Sequence, residues 1–285
     1  MTVGFLTIAQ NGQHDYLRMA YALALSLKLT QQWLCSDLAV LVTPGMHVPP
    51  SYYKVFHQVI EIPVDDADQE DWKIHNKWQA LSLTPFDHTI LVDADMLFPT
   101  DISEWWKILQ QRHVWACTNP RTFRNEPFQG RYYREAFDRC GLPDIYTAFM
   151  YFDRSSGMSQ GLFRTTQLVY QNWDRIRKEV YHHQLPEKVS GDMAFAVAMD
   201  ITGTTDRFTA PGSIPSFVHM KTRGQGFLQQ DSMKEEWTRH LTGVVQSNGR
   251  ISIGTYDQIL PFHYHDKSFL TDEIIDTLEA GHGGV

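Results

Sequence analysis

Apolar and polar positions fall into blocks along this chain, and the period of the blocks switches between that of a strand and that of a helix. Val3–Ala9 is a short apolar run of strand length, followed by a polar turn at residues 10–14. Residues 15–29 are apolar nearly all round (Tyr16, Leu17, Met19, Tyr21, Leu23, Leu25, Leu27), which predicts a largely buried helix with Asp15 as its N-cap. Leu38–Val42 and residues 59–62 read as further buried strands, residues 77–83 as helix, and residues 90–98 as a strand that carries Asp93 and Asp95. Beyond Thr100 the pattern predicts a short helix at 101–111, a buried strand at 148–152, and an amphipathic helix at 161–180. A helix at 191–199, a hairpin from 250–254 with 259–263, and a closing helix at 272–278 complete the reading. There is no internal repeat and no low-complexity linker.

Strands alternating with helices over the first hundred residues predict an α/β fold with a mostly parallel sheet covered by helices on both faces. The hairpin adds a smaller antiparallel element. In such sheets ligands sit beyond the carboxyl ends of the strands, where Asp93 and Asp95 fall and which the turn after the first strand also faces. At 285 residues the chain suits one domain.

Composition narrows the function. Hydrophobic residues make up 42% and charged residues 20%, enough apolar material for a sizeable core. A net charge of −8 argues against a general nucleic-acid binder, which needs a broad basic surface. No stretch approaches the roughly 18 apolar residues of a membrane span, and no signal-peptide pattern precedes the first strand. The 3 cysteines, Cys35, Cys117 and Cys140, lack zinc-like spacing. A cytoplasmic protein with free thiols is the expectation.

Asp93 and Asp95 are the leading candidate chemistry. On a strand, alternate residues point the same way, placing the two carboxylates roughly 6–7 Å apart. Such a pair repels itself unless a cation lies between. Hard divalent ions with oxygen ligands, Mg²⁺ or Mn²⁺, suit that position and bring diphosphates with them. The competing reading is an aspartate that merely starts a turn. The arginines at 121, 124, 131, 134 and 139 read either as a basic patch for an anionic ligand or as a solvated surface.

The segment NKWQALSLTPFDHTILVDADMLF, with Lys77, Pro85-Phe86-Asp87 and the D-x-D pair, resembles the centre of GT-A-fold glycosyltransferases. The similarity is greatest to family 8, the type of glycogenin and bacterial lipooligosaccharide galactosyltransferases. Residues 146–155 resemble that family's "NAGVMVFDRS" strand, and residues 190–194 its acidic helix start. Two departures stand out: Tyr146 replaces the Asn of the strand, and the family's late His-Gly-Lys-Pro-Trp signature is absent as such.

The resemblance implies a GT-A-type, Rossmann-like sheet. Residues 1–100 would be its nucleotide-binding half and residues 101–285 its acceptor-binding half. It implies a sugar transferred from a nucleotide sugar, expected to be a UDP-sugar, to a glycan or other hydroxyl acceptor, with retention of configuration. Mn²⁺ or Mg²⁺ would be held by Asp93, Asp95 and a late histidine, His265 or His219, with His263 a further candidate on the same strand face as His265. Lys77, with Lys221 or Lys267, would meet the diphosphate. Ile8, Ala9 and Tyr16 would line the base pocket, Ala94 would admit the ribose, and Asp192 would sit beside the sugar. The aromatic and arginine-rich region from Trp105 to Tyr146 is the expected acceptor site. Two other classes stay open: a non-catalytic or hydrolysing sugar-nucleotide or glycan-binding protein, and a sugar-phosphate nucleotidyltransferase. Against the last, residues 9–17 carry one glycine and no lysine.

Overall fold

The computed structural model describes residues 2–30, 35–66, 73–209, 215–222 and 235–283. Most of the acidic stretch at 65–71 lies outside them, as do the side chains of residues 131–133.

The first half alternates as its sequence predicts. β1 (Val3–Ala9), α1 (Tyr16–Leu29), β2 (Leu38–Val42) and β3 (Gln58–Glu61) are followed by a 3₁₀ segment, Lys73–Gln79, that runs into α2 (Ala80–Leu83). β4 (His88–Val92), β5 (Met96–Leu97), α3 (Ser103–Leu109), β6 (Val114–Cys117), α4 (Arg131–Cys140) and β7 (Tyr146–Asp153) come next. They build a six-stranded sheet in the order β3-β2-β1-β4-β7-β6. β1 to β4 are parallel, while β7 runs antiparallel to both its neighbours.

Both faces of this sheet are covered. Along β1 the side chains of Phe5 and Ala9 enter one apolar cluster with α1, Trp106 and Tyr151. Leu6 and Ile8 enter the other, with Phe163 and Phe195 from α5 (Gly157–Gln171) and α7 (Gly191–Thr202). This alternation explains why the strands read as continuous apolar runs. Asp15 caps α1 by accepting from the Arg18 N–H at 2.9 Å.

The predicted amphipathic helix at 161–180 begins earlier, as α5, and breaks at Asn172 into the short α6 (Trp173–Arg175) and a π-turn, Ile176–Val180. α8 (Thr205–Phe208) follows α7. β8 (Val218–His219), β9 (Gly243–Val245), β10 (Ile251–Ile253), β11 (Tyr256–Asp257), β12 (Phe262–His263) and α9 (Asp272–Gly283) finish the chain. β11-β10-β9 form the small antiparallel sheet.

The predicted hairpin is corrected here. β10 turns back through β11, and β12 leaves to join a different sheet, β5-β12-β8. Gly254, at φ +57°, lets the tighter turn form one residue after β10. Among the described residues no helix is long and apolar enough to cross a membrane.

Candidate active site

The site forms where β4 ends. Its partner β1 pairs with it only as far as Leu91, and β7 as far as Val92. The Asp93 N–H still donates to the Ala148 carbonyl at 3.1 Å, and the chain then turns through Ala94 and Asp95 into β5. Asp93 and Asp95 therefore stand on a turn between two sheets, not on a strand as expected. β5 is held by β12 in antiparallel register, with His263 opposite Met96. β12 is in turn paired in parallel with β8, with His263 beside His219. Three short strands thus carry distant segments to the end of the central sheet.

Around this junction lies a cavity of about 320 Å³. Ile8, Tyr16, Lys77, Asp93, Ala94, Asp95, Asp192, His219, Lys221, His265 and Lys267 all line it, together with His263 and Thr147. Of the residues expected to hold the nucleotide, the metal or the sugar, Ala9 is the one that lies elsewhere: it is fully buried against α1 on the opposite face of β1. An adjoining cavity at the ends of β1 and β2 is lined by Tyr16, Gln10, Asn11, His14, His47 and Tyr52, among others.

Each carboxylate of the D-x-D pair has a lysine. Lys77 Nζ donates to Asp93 Oδ1 at 2.6 Å and to the Thr147 carbonyl at 3.1 Å. Asp95 Oδ2 is bonded by Lys267 Nζ and faces His263 Nε2 at 3.0 Å. Burial alone would raise the Asp95 pKa, but His263 and Lys267 hold it well below the usual carboxylate range. Burial pulls Lys267 down, and the Asp95 charge more than restores it, so its pKa stands above the ordinary value.

The ligand atoms of Asp93, Asp95 and His263 lie within 4.8 Å of one another, the one such group of three among the described residues. Two carboxylates and an imidazole are a donor set that Mn²⁺ or Mg²⁺ accepts. The residues present fit such an ion.

Among the three late histidines it is thus His263, the sequence's third choice, that joins the carboxylates. His219 and His265 stand behind it. His219 Nδ1 faces His263 Nδ1 at 3.1 Å, so one of the two nitrogens carries the proton of that bond. Burial and the neighbouring histidines keep His219 well below its ordinary pKa, and burial pushes His265 down to about 3. Both rings are neutral near pH 7. His265 adopts φ +56°, so its entry into the cavity follows from a left-handed turn rather than from strand alternation with His263.

The opposite wall centres on Asp192, in the first turn of α7 behind the Ser190 N-cap. Its Oδ1 accepts from the Thr147 N–H and hydroxyl, both at 2.7 Å, and its Oδ2 from Arg134 Nη1 at 2.7 Å. Burial would raise its pKa, but Arg134 and Thr147 bring it below the ordinary value. Arg134 itself is 4% exposed. It is buried rather than on an exposed basic surface; among its described neighbours in sequence, Arg124 pairs with Glu126 and Arg139 donates to the Gln184 carbonyl. The role of Arg134 was not readable from sequence, because nothing local links it to a residue 58 positions away.

Of the aromatic residues in the region expected to bind the acceptor, the tryptophans are core, Tyr146 lines the cavity, and the side chains of Tyr132 and Tyr133 lie outside the described residues. Trp105, Trp106 and Trp115 are 8%, 3% and 5% exposed and pack around Phe5 and Phe149.

No protein-family model and no curated protein sequence matches the chain. Solved structures do. The galactosyltransferase LgtC, in complex with donor and acceptor sugar analogs, matches over 97% of this chain and 95% of its own, at 10% identity and a TM-score of 0.55. The glycosyltransferase GlyE of Streptococcus pneumoniae TIGR4 matches over 73% of this chain at 12% identity and a TM-score of 0.44, and the chain spans 44% of its length. Mouse xyloside xylosyltransferase 1, in its apo form, matches over 72% of this chain and 84% of its own at 13% identity and a TM-score of 0.43. Over nearly its whole length, then, the chain shares the fold of LgtC.

Proposed function

We propose that the protein is a metal-dependent glycosyltransferase that moves a sugar from a nucleotide sugar, with UDP-sugars the first class to test, to a hydroxyl acceptor. The observation that carries this reading is the convergence of Asp93, Asp95 and His263 in a cavity whose walls also hold Lys77, Lys221, Lys267 and Asp192. The chain's first hundred residues supply the two aspartates, Lys77 and the Tyr16 side of the nucleotide site, and the later half supplies the remainder.

Each residue then has a task. Tyr16, at the mouth of the adjoining cavity, offers a ring face to the base. Lys221 and Lys267 place positive charge where the diphosphate would lie. Lys77 holds Asp93 in place and adds charge beside it. Asp93, Asp95 and His263 would hold Mn²⁺ or Mg²⁺, which as a Lewis acid stabilises charge on a leaving diphosphate. Asp192, ionised and fixed on both oxygens, accepts hydrogen bonds from sugar hydroxyls.

In the transfer, the bond between the sugar's anomeric carbon and the diphosphate oxygen breaks, its electron pair leaving with the nucleoside diphosphate. The acceptor oxygen bonds to the same carbon, and its proton passes to the released diphosphate or to solvent. Retention is the outcome that the family 8 resemblance implies. It accords with the cation partner that each described carboxylate of the cavity has: Asp93 has Lys77, Asp95 has Lys267 and Asp192 has Arg134.

The lysine pairs favour a second reading, in which Lys77 and Lys267 rather than a metal balance the carboxylates and the protein binds sugar nucleotides without an ion. Calorimetric titration of UDP with Mn²⁺ and then with EDTA decides between them. Metal dependence predicts at least tenfold weaker binding in EDTA, about 1.4 kcal/mol, and the same loss in Asp95→Ala with Mn²⁺ present. Equal affinity in both conditions would support the lysine-balanced reading, and no binding of UDP, GDP or their sugars would refute both.

A further inference from the structure

A separate cavity of about 390 Å³ lies beside the reaction cavity, walled by His75, Tyr170, Gln171, Trp173, Asp174 and Glu187, with Lys188 at its edge. Its volume is in the range of small-molecule sites, about 300–1,000 Å³. It opens between the end of α5, the start of α6 and the segment that leads into α7. Trp173 fixes that segment by donating its indole N–H to the carbonyls of Pro186 and Glu187, at 3.2 and 2.9 Å. The rings of His75 and Tyr170 meet with centroids 4.7 Å apart.

Gly191, at the start of α7, lines the reaction cavity and lies close to Tyr170 in the wall of the second. A side chain there would have its Cβ 3.8 Å from the Tyr170 hydroxyl, 3.7 Å from Lys77 Cδ and 3.2 Å from Thr147 Oγ1. Lys77 and Thr147 line the reaction cavity, whereas Tyr170 lines the second one. The 3₁₀ segment Lys73–Gln79 likewise serves both, His75 facing the second cavity and Lys77 the first. A glycine is what keeps the two within a few ångströms of contact.

The lining chooses a ligand class. The exposed amide of Gln171 and carboxylates of Asp174 and Glu187 take hydroxyls, over a floor of the buried Trp173 and the half-buried, mutually packed rings of His75 and Tyr170. Two carboxylates against one lysine make the cavity unfit for phosphate or another anion. Resting on the glycosyltransferase reading, we infer that this cavity is the acceptor subsite. It binds a neutral, hydroxyl-rich carbohydrate and presents one hydroxyl across Gly191 to the reaction cavity. This places the acceptor on the α5–α7 side, away from the buried tryptophans around Trp105.

The test applies the full-length protein, with Mn²⁺ and UDP, to an array of neutral oligosaccharides, beside calorimetric titration of UDP on the same samples. Two variants alter the wall from solvent-exposed positions: Asp174→Ala removes a hydroxyl partner, and Gln171→Trp fills the space. Circular dichroism melts report whether each folds. The expected result is a defined set of glycans retained by wild type and lost at least tenfold, relative to UDP affinity, in both variants. Retention unchanged in both folded variants, or a wild type that binds UDP and no glycan, overturns the subsite. Failure of UDP, GDP and their sugars to bind wild type would instead refute the transferase reading, whereas the glycan arm alone decides whether this cavity holds a carbohydrate.

Discussion

Arg134 sets the electrostatics of the cavity wall that carries Asp192. Its guanidinium lies over the rings of Phe137 and Tyr146, 4.1 and 4.0 Å from their centroids, and bonds Asp192, Asp144 and the Ile145 carbonyl. A planar fork with several fixed donors suits this position in a way that a lysine ammonium does not. Replacement by methionine leaves Asp192, a half-buried carboxylate, without its direct cation partner, and the expected cost is about 1–3 kcal/mol. Arg134→Lys keeps the charge and should lose less; urea unfolding of the pair measures the difference. Asp192 also predicts an acid limb of stability. Because its folded pKa is depressed below 3.8, its contribution is fully present above the unfolded pKa and is lost as pH falls through the folded value. Asp192→Asn should therefore flatten the fall of stability between about pH 5 and pH 2, and an unchanged slope would mean that Arg134 does not hold the carboxylate ionised.

Elements explain both what could be read in advance and what could not. α9 closes the fold by docking on α1, with Tyr21 Oη donating to Glu279 at 2.9 Å and Arg18 reaching Asp272 at 2.5 Å. Gly281, in its last turn, sits so close to the β9–β10 turn that a Cβ would fall 1.8 Å from the Ser247 carbonyl oxygen. Alanine would ordinarily strengthen a helix by roughly 0.5–1 kcal/mol over glycine. Here overpacking should reverse the sign, and we expect Gly281→Ala to lose about 1–3 kcal/mol in thermal or urea unfolding. The long elements β1, α1, β4 and α7 were legible because each is an apolar run buried on nearly every side, and α1 also starts on a recognisable side-chain cap, Asp15. β5, β8 and β12 were not, because each is two residues long and too short to show alternation. Their pairing is set by tertiary contact, which is why 259–263 looked like half of a hairpin. The D-x-D pair could be located from its local spacing and Lys77 from the family resemblance, whereas the choice of His263 over His265 depends on a register with Met96 that no local pattern encodes.

At the scale of the molecule, the site is a tie between distant parts of the chain. Asp95 is bonded to His263 and Lys267, 168 and 172 positions later, and Lys77 spans 70 positions to Thr147. A ligand that bridges these groups binds only when both sheets are assembled, so its binding energy adds to the stability of the whole fold rather than of one loop. At a ligand concentration about 100 times Kd this linkage contributes about 2.7 kcal/mol. For a domain of this size each kcal/mol moves the midpoint by about 2–4 °C, so Mn²⁺ with UDP should raise Tm by roughly 5–10 °C. Asp95→Ala discriminates between the sources of that gain. The substitution removes one ligand of the Asp93–Asp95–His263 group and leaves Lys267 without its carboxylate, so the free variant should melt below wild type and show no further rise with Mn²⁺ and UDP. Differential scanning calorimetry of both proteins, with and without ligand, reads this directly. A full Tm rise in the variant would place the nucleotide elsewhere, and a rise with UDP alone in wild type, insensitive to EDTA, would assign the counter-charge to Lys77 and Lys267.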